Sequence, residues 1–115
     1  MSLPPILAAR VTEDRAEFDL ALPAELDVFH GHFPGRPILP GVAQIDWVAA
    51  LATRVGWLTQ PVMRDFKVKF RGVIVPGEPV TLRLRIERDK RRLDFEYCRG
   101  GQVLSSGRAR LPEAA

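Results

Sequence analysis

The chain has one cysteine, one tyrosine, two histidines and no long uninterrupted apolar run in 115 residues. The lone Cys98 excludes an internal disulfide and fits a reducing compartment. The opening residues Met1-Ser2-Leu3-Pro4-Pro5-Ile6 carry neither the basic start nor the apolar stretch of a secretion signal, so the cytoplasm is the expected location. No segment is apolar for long enough to span a membrane, because the longest candidate is broken by Gln44, Asp46 and Arg54. Excess charge of one sign is also missing: 17 Lys and Arg face 14 Asp and Glu, a net +3. That is too mild for a dedicated nucleic-acid binder, but it suits an acidic protein partner. Repeats, linkers and low-complexity tracts are absent. The remainder, 46% hydrophobic and 27% charged, reads as one globular domain over residues 1–115. A domain of this size has a core but keeps much surface, which favours a self-complementary dimer.

What is present concentrates in one run, Phe29-His30-Gly31-His32-Phe33-Pro34-Gly35-Arg36-Pro37-Ile38-Leu39-Pro40-Gly41. Two histidines sit in a Gly/Pro-rich loop that leads into an apolar segment bearing a single acid, Asp46. A general base and a lone buried carboxylate flanking a helix start suit proton transfer on a carbonyl compound. Pro34, Pro37 and Pro40 each fix φ, so the loop is stiff, and Pro40 stands where a first helical residue belongs.

From Gly41 to about Trp57 apolar residues fall on every face, which predicts a helix buried all round, about 25 Å long at 1.5 Å per residue. Gly56 and Pro61 bracket its end. Before the loop, strands are expected at Ile6–Val11 and from Ala16 to Leu22. After Pro61 the pattern has period two. Phe66, Val68 and Phe70 alternate with Lys67, Lys69 and Arg71; Val80, Leu82, Leu84 and Ile86 with Thr81, Arg83, Arg85 and Glu87; Leu93, Phe95 and Tyr97 with Asp94 and Glu96. A last strand runs from Gln102 to Leu111. A turn centred between Asp89 and Lys90 sets Arg83 opposite Glu96, Arg85 opposite Asp94, Glu87 opposite Arg92 and Leu84 opposite Phe95. Six antiparallel strands with one polar face must curl around such a helix. The expected class is α+β, a hot-dog fold with a curved six-stranded sheet wrapped around one long buried central helix, built as a dimer with one continuous sheet.

The run from His32 to Asp46 resembles the signature of the β-hydroxyacyl-acyl-carrier-protein dehydratases of the FabA/FabZ type. In that signature Gly-His-Phe-Pro-Gly-x-Pro-x-x-Pro-Gly precedes a helical Glu or Asp fourteen residues after the histidine, and here Asp46 follows His32 by fourteen. The compact length and Pro-Gly-Val-Ala-Gln-Ile-Asp-Trp are most similar to the short ApeI-like dehydratases of aryl polyene clusters. Two departures from the fatty-acid-synthesis members are the missing N-terminal helix with its His-Arg-Tyr-Pro-Phe-like segment, and Asp in place of the commoner Glu.

The resemblance implies removal of water from a 3-hydroxyacyl thioester carried on the phosphopantetheine of an acyl carrier protein, in fatty-acid or polyene/polyketide-type biosynthesis. It makes His32 the base, Asp46 the acid partner and Gly41 the oxyanion donor, with histidine and acid meeting across a dimer interface. No metal or diffusible cofactor is implied. The competing readings are a hot-dog thioesterase and a non-catalytic acyl-binding subunit.

Residue by residue, His32 alone would read as a structural loop histidine, and the surrounding motif shifts it to catalysis. His30 reads as loop support. A metal site from His30, His32 and Asp46 lacks further ligands. Asp46 has no basic residue three or four positions away, which makes it costly to bury without a partner. Phe33, Pro40, Val42 and Trp47 are candidate substrate contacts, although Trp47 and Trp57 read equally as core or dimer-contact residues. Gln44 reads as helix support. Cys98 takes an outward strand position where nothing activates it. Lys67, Lys69 and Arg71, with Arg36 and Arg64, form either a solvated sheet face or a docking face for an acidic carrier protein; Arg54 is a weaker addition.

Overall fold

The computed structural model describes residues 2–30 and 35–112. Along them run β1 (Ile6–Val11), β2 (Arg15–Leu22), a short 3-10 turn at Asp27–Phe29, α1 (Gly41–Arg54), β3 (Arg64–Phe70), β4 (Gly77–Glu87), β5 (Arg92–Arg99) and β6 (Gln102–Arg110). The six strands join one antiparallel sheet in the order β1-β2-β4-β5-β6-β3, the hot-dog arrangement.

The period-two residues do what their alternation requires. Phe18, Leu20 and Leu22 of β2, Val80, Leu82 and Leu84 of β4, and Leu93, Phe95 and Tyr97 of β5 are all buried. They pack with Ala43, Trp47, Val48, Leu51 and Ala52 of α1 in one core. Each large apolar side chain so buried contributes about 1.5–3 kcal/mol of transfer free energy. The β4–β5 register is the expected one: Arg83 faces Glu96, Arg85 faces Asp94, Glu87 faces Arg92 and Leu84 faces Phe95. Two of the three polar pairs close as ion pairs, Arg83–Glu96 at 3.2 Å and Arg92–Glu87 at 2.9 Å. The third does not. Asp94 is engaged by Arg92 on its own strand at 3.2 Å, and Arg85 turns to Glu87 at 3.5 Å.

The helix departs from expectation in three ways. It is 14 residues long, Gly41–Arg54, and so about 21 Å rather than 25 Å. Pro40 is its N-cap, with ψ 149°, rather than its first helical residue. It is also not buried all round: Val42 and Asp46 are exposed on a face that the chain's own sheet leaves uncovered. A six-stranded sheet curling over one side of a helix cannot reach the other side.

The helix ends in a Schellman motif. Gly56 takes φ +87°, its N–H donates to the Thr53 carbonyl at 3.0 Å, and the Trp57 N–H donates to the Ala52 carbonyl at 2.9 Å. Arg54 in the last turn complements the negative end of the helix dipole.

Candidate active site

Three neighbouring strands seat the first turn of α1. The registers place Tyr97 of β5 beside Ser105 of β6, and Ser105 beside Phe70 of β3, so their inward side chains form a row across the sheet. The Tyr97 hydroxyl donates to the main-chain carbonyl of Gln44 at 2.6 Å. The Ser105 hydroxyl donates to Oε1 of Gln44, also at 2.6 Å. The Phe70 ring closes over Gly41, where a Cβ would come within 2.6 Å of Cζ. Tyr97 is fully buried, and burial pushes its phenol well above the ordinary value, with the charge of Asp46 adding to the effect.

The helix start is held without a capping side chain. The Pro40 carbonyl accepts from the N–H groups of Ala43 and Gln44, both at 3.1 Å. Nε2 of Gln44 donates to the Leu39 carbonyl at 3.3 Å, while the Leu39 N–H donates to the Ile74 carbonyl at 2.7 Å. The Gly41 N–H has no acceptor within the helix, because first-turn amides have no intrahelical partner. It lies at the positive end of the helix dipole, where it can stabilise a developing negative charge.

Asp46 lies five residues further on, about 7.5 Å along the helix axis. It is exposed, which corrects the expectation of a buried lone acid. Its surroundings are nevertheless apolar. It opens into a groove of about 290 Å³ between α1 and residues 61–66, lined by Val42, Ile45, Ala49, Val62, Met63 and Phe66. A single carboxylate in an apolar groove, beside a helix N-terminus whose first amides have no intrahelical acceptor, can serve acid–base chemistry on a bound carbonyl compound.

The other sequence candidates fall into three groups. His32 and Phe33 lie outside the described residues. Val42 is exposed on the groove beside Asp46, whereas Pro40 is buried and Trp47 is fully buried, its indole N–H donating to the Ser2 carbonyl at 3.1 Å. Trp47 is thus a core residue in this chain. Arg36, Arg64, Lys67, Lys69 and Arg71 are all exposed, Lys67 and Lys69 on the outer sheet face opposite Arg108 and Ser106. His30 is exposed, with Nε2 3.2 Å from the Ala24 carbonyl, as suits loop support. Cys98 is buried rather than open, and burial pushes its thiol up, which leaves it unactivated. Among the described residues no three His, Cys, Asp or Glu side chains converge to hold a metal ion.

Sequence reasoning missed Phe70 and Ser105. Ser105 was legible in principle, since its parity in β6 turns it inward beside Tyr97, a position where a hydroxyl needs a partner.

A hot-dog sheet around a helix with one groove-facing carboxylate defines the class of fold, and the comparisons narrow it. Residues 8–108 match the ApeI-like family, described as ApeI dehydratase, so the chain belongs to that family. It is similar to a chain of the dehydratase heterocomplex ApeI:P from Xenorhabdus doucetiae, with 33% identity, 95% of this chain and 97% of that one covered, and a TM-score of 0.85. It is 41% identical over 69 residues to the 3-hydroxyacyl-[acyl-carrier-protein] dehydratase FabZ of Syntrophobacter fumaroxidans, covering 50% of this chain and 45% of that protein. To the FabZ of Clostridium acetobutylicum it is 37% identical over 70 residues, covering 55% and 50%. The chain spans about half the length of these curated relatives. No helix among the described residues is long and apolar enough to cross a membrane.

Proposed function

We propose that the protein is a hydro-lyase that converts 3-hydroxyacyl thioesters on an acyl carrier protein to trans-2-enoyl thioesters, in fatty-acid or polyene/polyketide-type biosynthesis in the cytoplasm. The observation that carries this reading is Asp46, a carboxylate alone in an apolar groove about a turn and a half from the Gly41 amide at the helix start. His32 takes the α-proton as base. The electron pair left on the α-carbon delocalises into the thioester carbonyl, whose oxygen accepts from the Gly41 N–H. Collapse of this enolate forms the 2,3 double bond and breaks the bond to the 3-hydroxyl, which leaves as water with the proton that Asp46 supplies directly or through water. Passage of the proton from His32 back to Asp46 through solvent restores both groups, so the cycle balances without a metal or diffusible cofactor.

The exposed groove also supports assembly with a second hot-dog chain. A homodimer would cover the Val42–Asp46 face, enclose the acyl chain away from water, and bring His32 of one chain to Asp46 of the other. Val42 and Phe33 would line the resulting channel.

The carrier protein would dock on the outer sheet face near β3. Outer cations of β1, β4 and β5 are matched with acids: Arg10 with Glu17 and Asp19, Arg83 with Glu17 and Glu96, Arg92 with Glu87 and Asp94. Lys67 and Lys69 instead stand beside Arg108 and Ser106, and with Arg36, Arg64 and Arg71 they offer positive charge to an acidic partner.

The deciding experiment incubates the protein with 3-hydroxyacyl and 2-enoyl carrier thioesters and follows both water exchange and thiol release. Reversible hydration without thiol release supports the dehydratase; thiol release alone would make it a thioesterase, and neither would make it a binding subunit. In subunit-exchange experiments, inactive His32→Ala and Asp46→Asn chains should regain activity as mixed dimers carrying one intact site. Demonstrated exchange without recovery would place each site within one chain.

A further inference from the structure

We propose that Gln44 is a positioning residue for this reaction, an amide strut between β6 and the end of the histidine loop that fixes the direction of the Gly41 N–H. The inference rests on the dehydratase reading above. Every polar group of Gln44 is committed although the residue is only 3% exposed. Its Oε1 accepts from Ser105 at 2.6 Å, its Nε2 donates to Leu39 at 3.3 Å, and its main-chain carbonyl accepts from Tyr97 at 2.6 Å. Leu39 is thereby gripped on both sides, since its N–H is already held by Ile74 at 2.7 Å.

Packing does not call for an amide here. The neighbouring core positions of α1 are Ala43, Trp47, Val48, Leu51 and Ala52, and an apolar side chain at 44 would fill the same space without needing Ser105. A buried amide must find partners for each of its groups or destabilise the fold. What it provides in return is a rigid link. Gln44 holds the carbonyl of the Leu39–Pro40 peptide, Ile74 holds the N–H of the peptide before it, Pro40 fixes its own φ at −65°, and the Pro40 carbonyl is held by the Ala43 and Gln44 amides at 3.1 Å. Together they leave the Gly41 amide a single direction. An oxyanion donor displaced by about 1 Å loses much of its effect, and that is the error the strut prevents.

The test uses Gln44→Met, which keeps the volume and removes both side-chain hydrogen bonds, with Gln44→Glu and Ser105→Ala beside it. With pantetheine thioesters, Gln44→Met should remain folded, lose about tenfold in kcat and keep KM within about twofold, because the group it directs acts in the transition state. Ser105→Ala should cost less, and in the double variant it should add little to Gln44→Met. Gln44→Glu should be impaired at neutral pH, where a carboxylate faces the Leu39 carbonyl. Relative to the wild type it should recover as the pH falls, when the protonated acid can donate to that carbonyl; a purely packing role gives no such profile in that ratio. Hydrogen exchange tests the strut without substrate: the Ala43 and Gln44 amides, held on the Pro40 carbonyl, should exchange faster in Gln44→Met. A folded Gln44→Met with wild-type kcat, or with unchanged exchange there, would overturn the proposal. A wild-type protein that dehydrates nothing, with exchange altered as expected, would instead overturn the dehydratase reading and leave the strut standing.

Discussion

The ring of Phe70 fills the space that a side chain at residue 41 would need: a Cβ on Gly41 would stand 2.6 Å from Cζ and 3.2 Å from Cε1. Phe70 is 54% exposed and can swing aside, so Gly41→Ala should fold. The displaced ring would crowd the helix start, and kcat for enoyl-thioester hydration should fall by about tenfold. Pairing it with Phe70→Ala should restore most of that loss. A Gly41→Ala enzyme at full speed would show that nothing at this end of α1 depends on the ring.

Asp46→Asn should remove most of the activity, by a factor of about 100 or more, as expected for loss of an acid–base group. Its effect on stability should be small. In the single chain Asp46 is exposed, so neutralising it relieves no desolvated charge, and the melting temperature should move by no more than about 2 °C. A large stabilisation would mean that the carboxylate is dehydrated in the assembled protein.

Gly107 is a stability prediction. A Cβ there would meet the Lys67 carbonyl oxygen at 2.7 Å and the Phe95 ring at 2.8 and 2.9 Å, and main chain cannot swing away as an exposed ring can. Gly107→Ala should destabilise by about 1–3 kcal/mol in denaturant titration, by spreading β3 from β6. Unchanged stability would show that this strand pair shifts at little cost.

Tyr97 predicts a response to alkali. Its folded-state pKa is raised, by burial first and by Asp46 second, so the folded state holds the phenolic proton more tightly than the unfolded chain does. The stability this contributes is fully present below the ordinary value of 10.0 and is lost as pH rises beyond it. Tyr97→Phe should cost about 1 kcal/mol near neutrality, from the lost hydrogen bond to Gln44. Above pH 10 it should lose stability less steeply than the wild type, and the two curves should converge. Parallel curves from thermal melts across that range would contradict the assignment.

Much of this fold is legible in the sequence because local rules and the global arrangement agree. The β4–β5 register follows from charge and apolar alternation that select the same pairing, and the strut's outline shows in a lone glutamine among apolar helix residues. The exposed Asp46 was misread because an all-round apolar helix says only that something covers each face, not that the same chain does. Arg85 went to Glu87 because long side chains choose among several acids within reach, and strand register does not restrict that choice. Ser105 went unnoticed because its importance lies in a partner 61 positions away in sequence.

The strand order β1-β2-β4-β5-β6-β3 also has a consequence in time. β1–β2, β4–β5 and β5–β6 are hairpins between neighbours, and each can form early, since closing a short loop costs little entropy. β2 reaches β4, and β3 reaches β6, only by closing large loops, the first of which contains the histidine run and the whole of α1. Native pairing of such high contact order slows folding. The two hairpin regions are expected to assemble first, with the histidine run and α1 fixed by the later long-range closures. Even after those closures the Val42–Asp46 face and the outer edge of β3 stay open in the single chain, so a chain that nothing covers keeps two surfaces prone to aggregation.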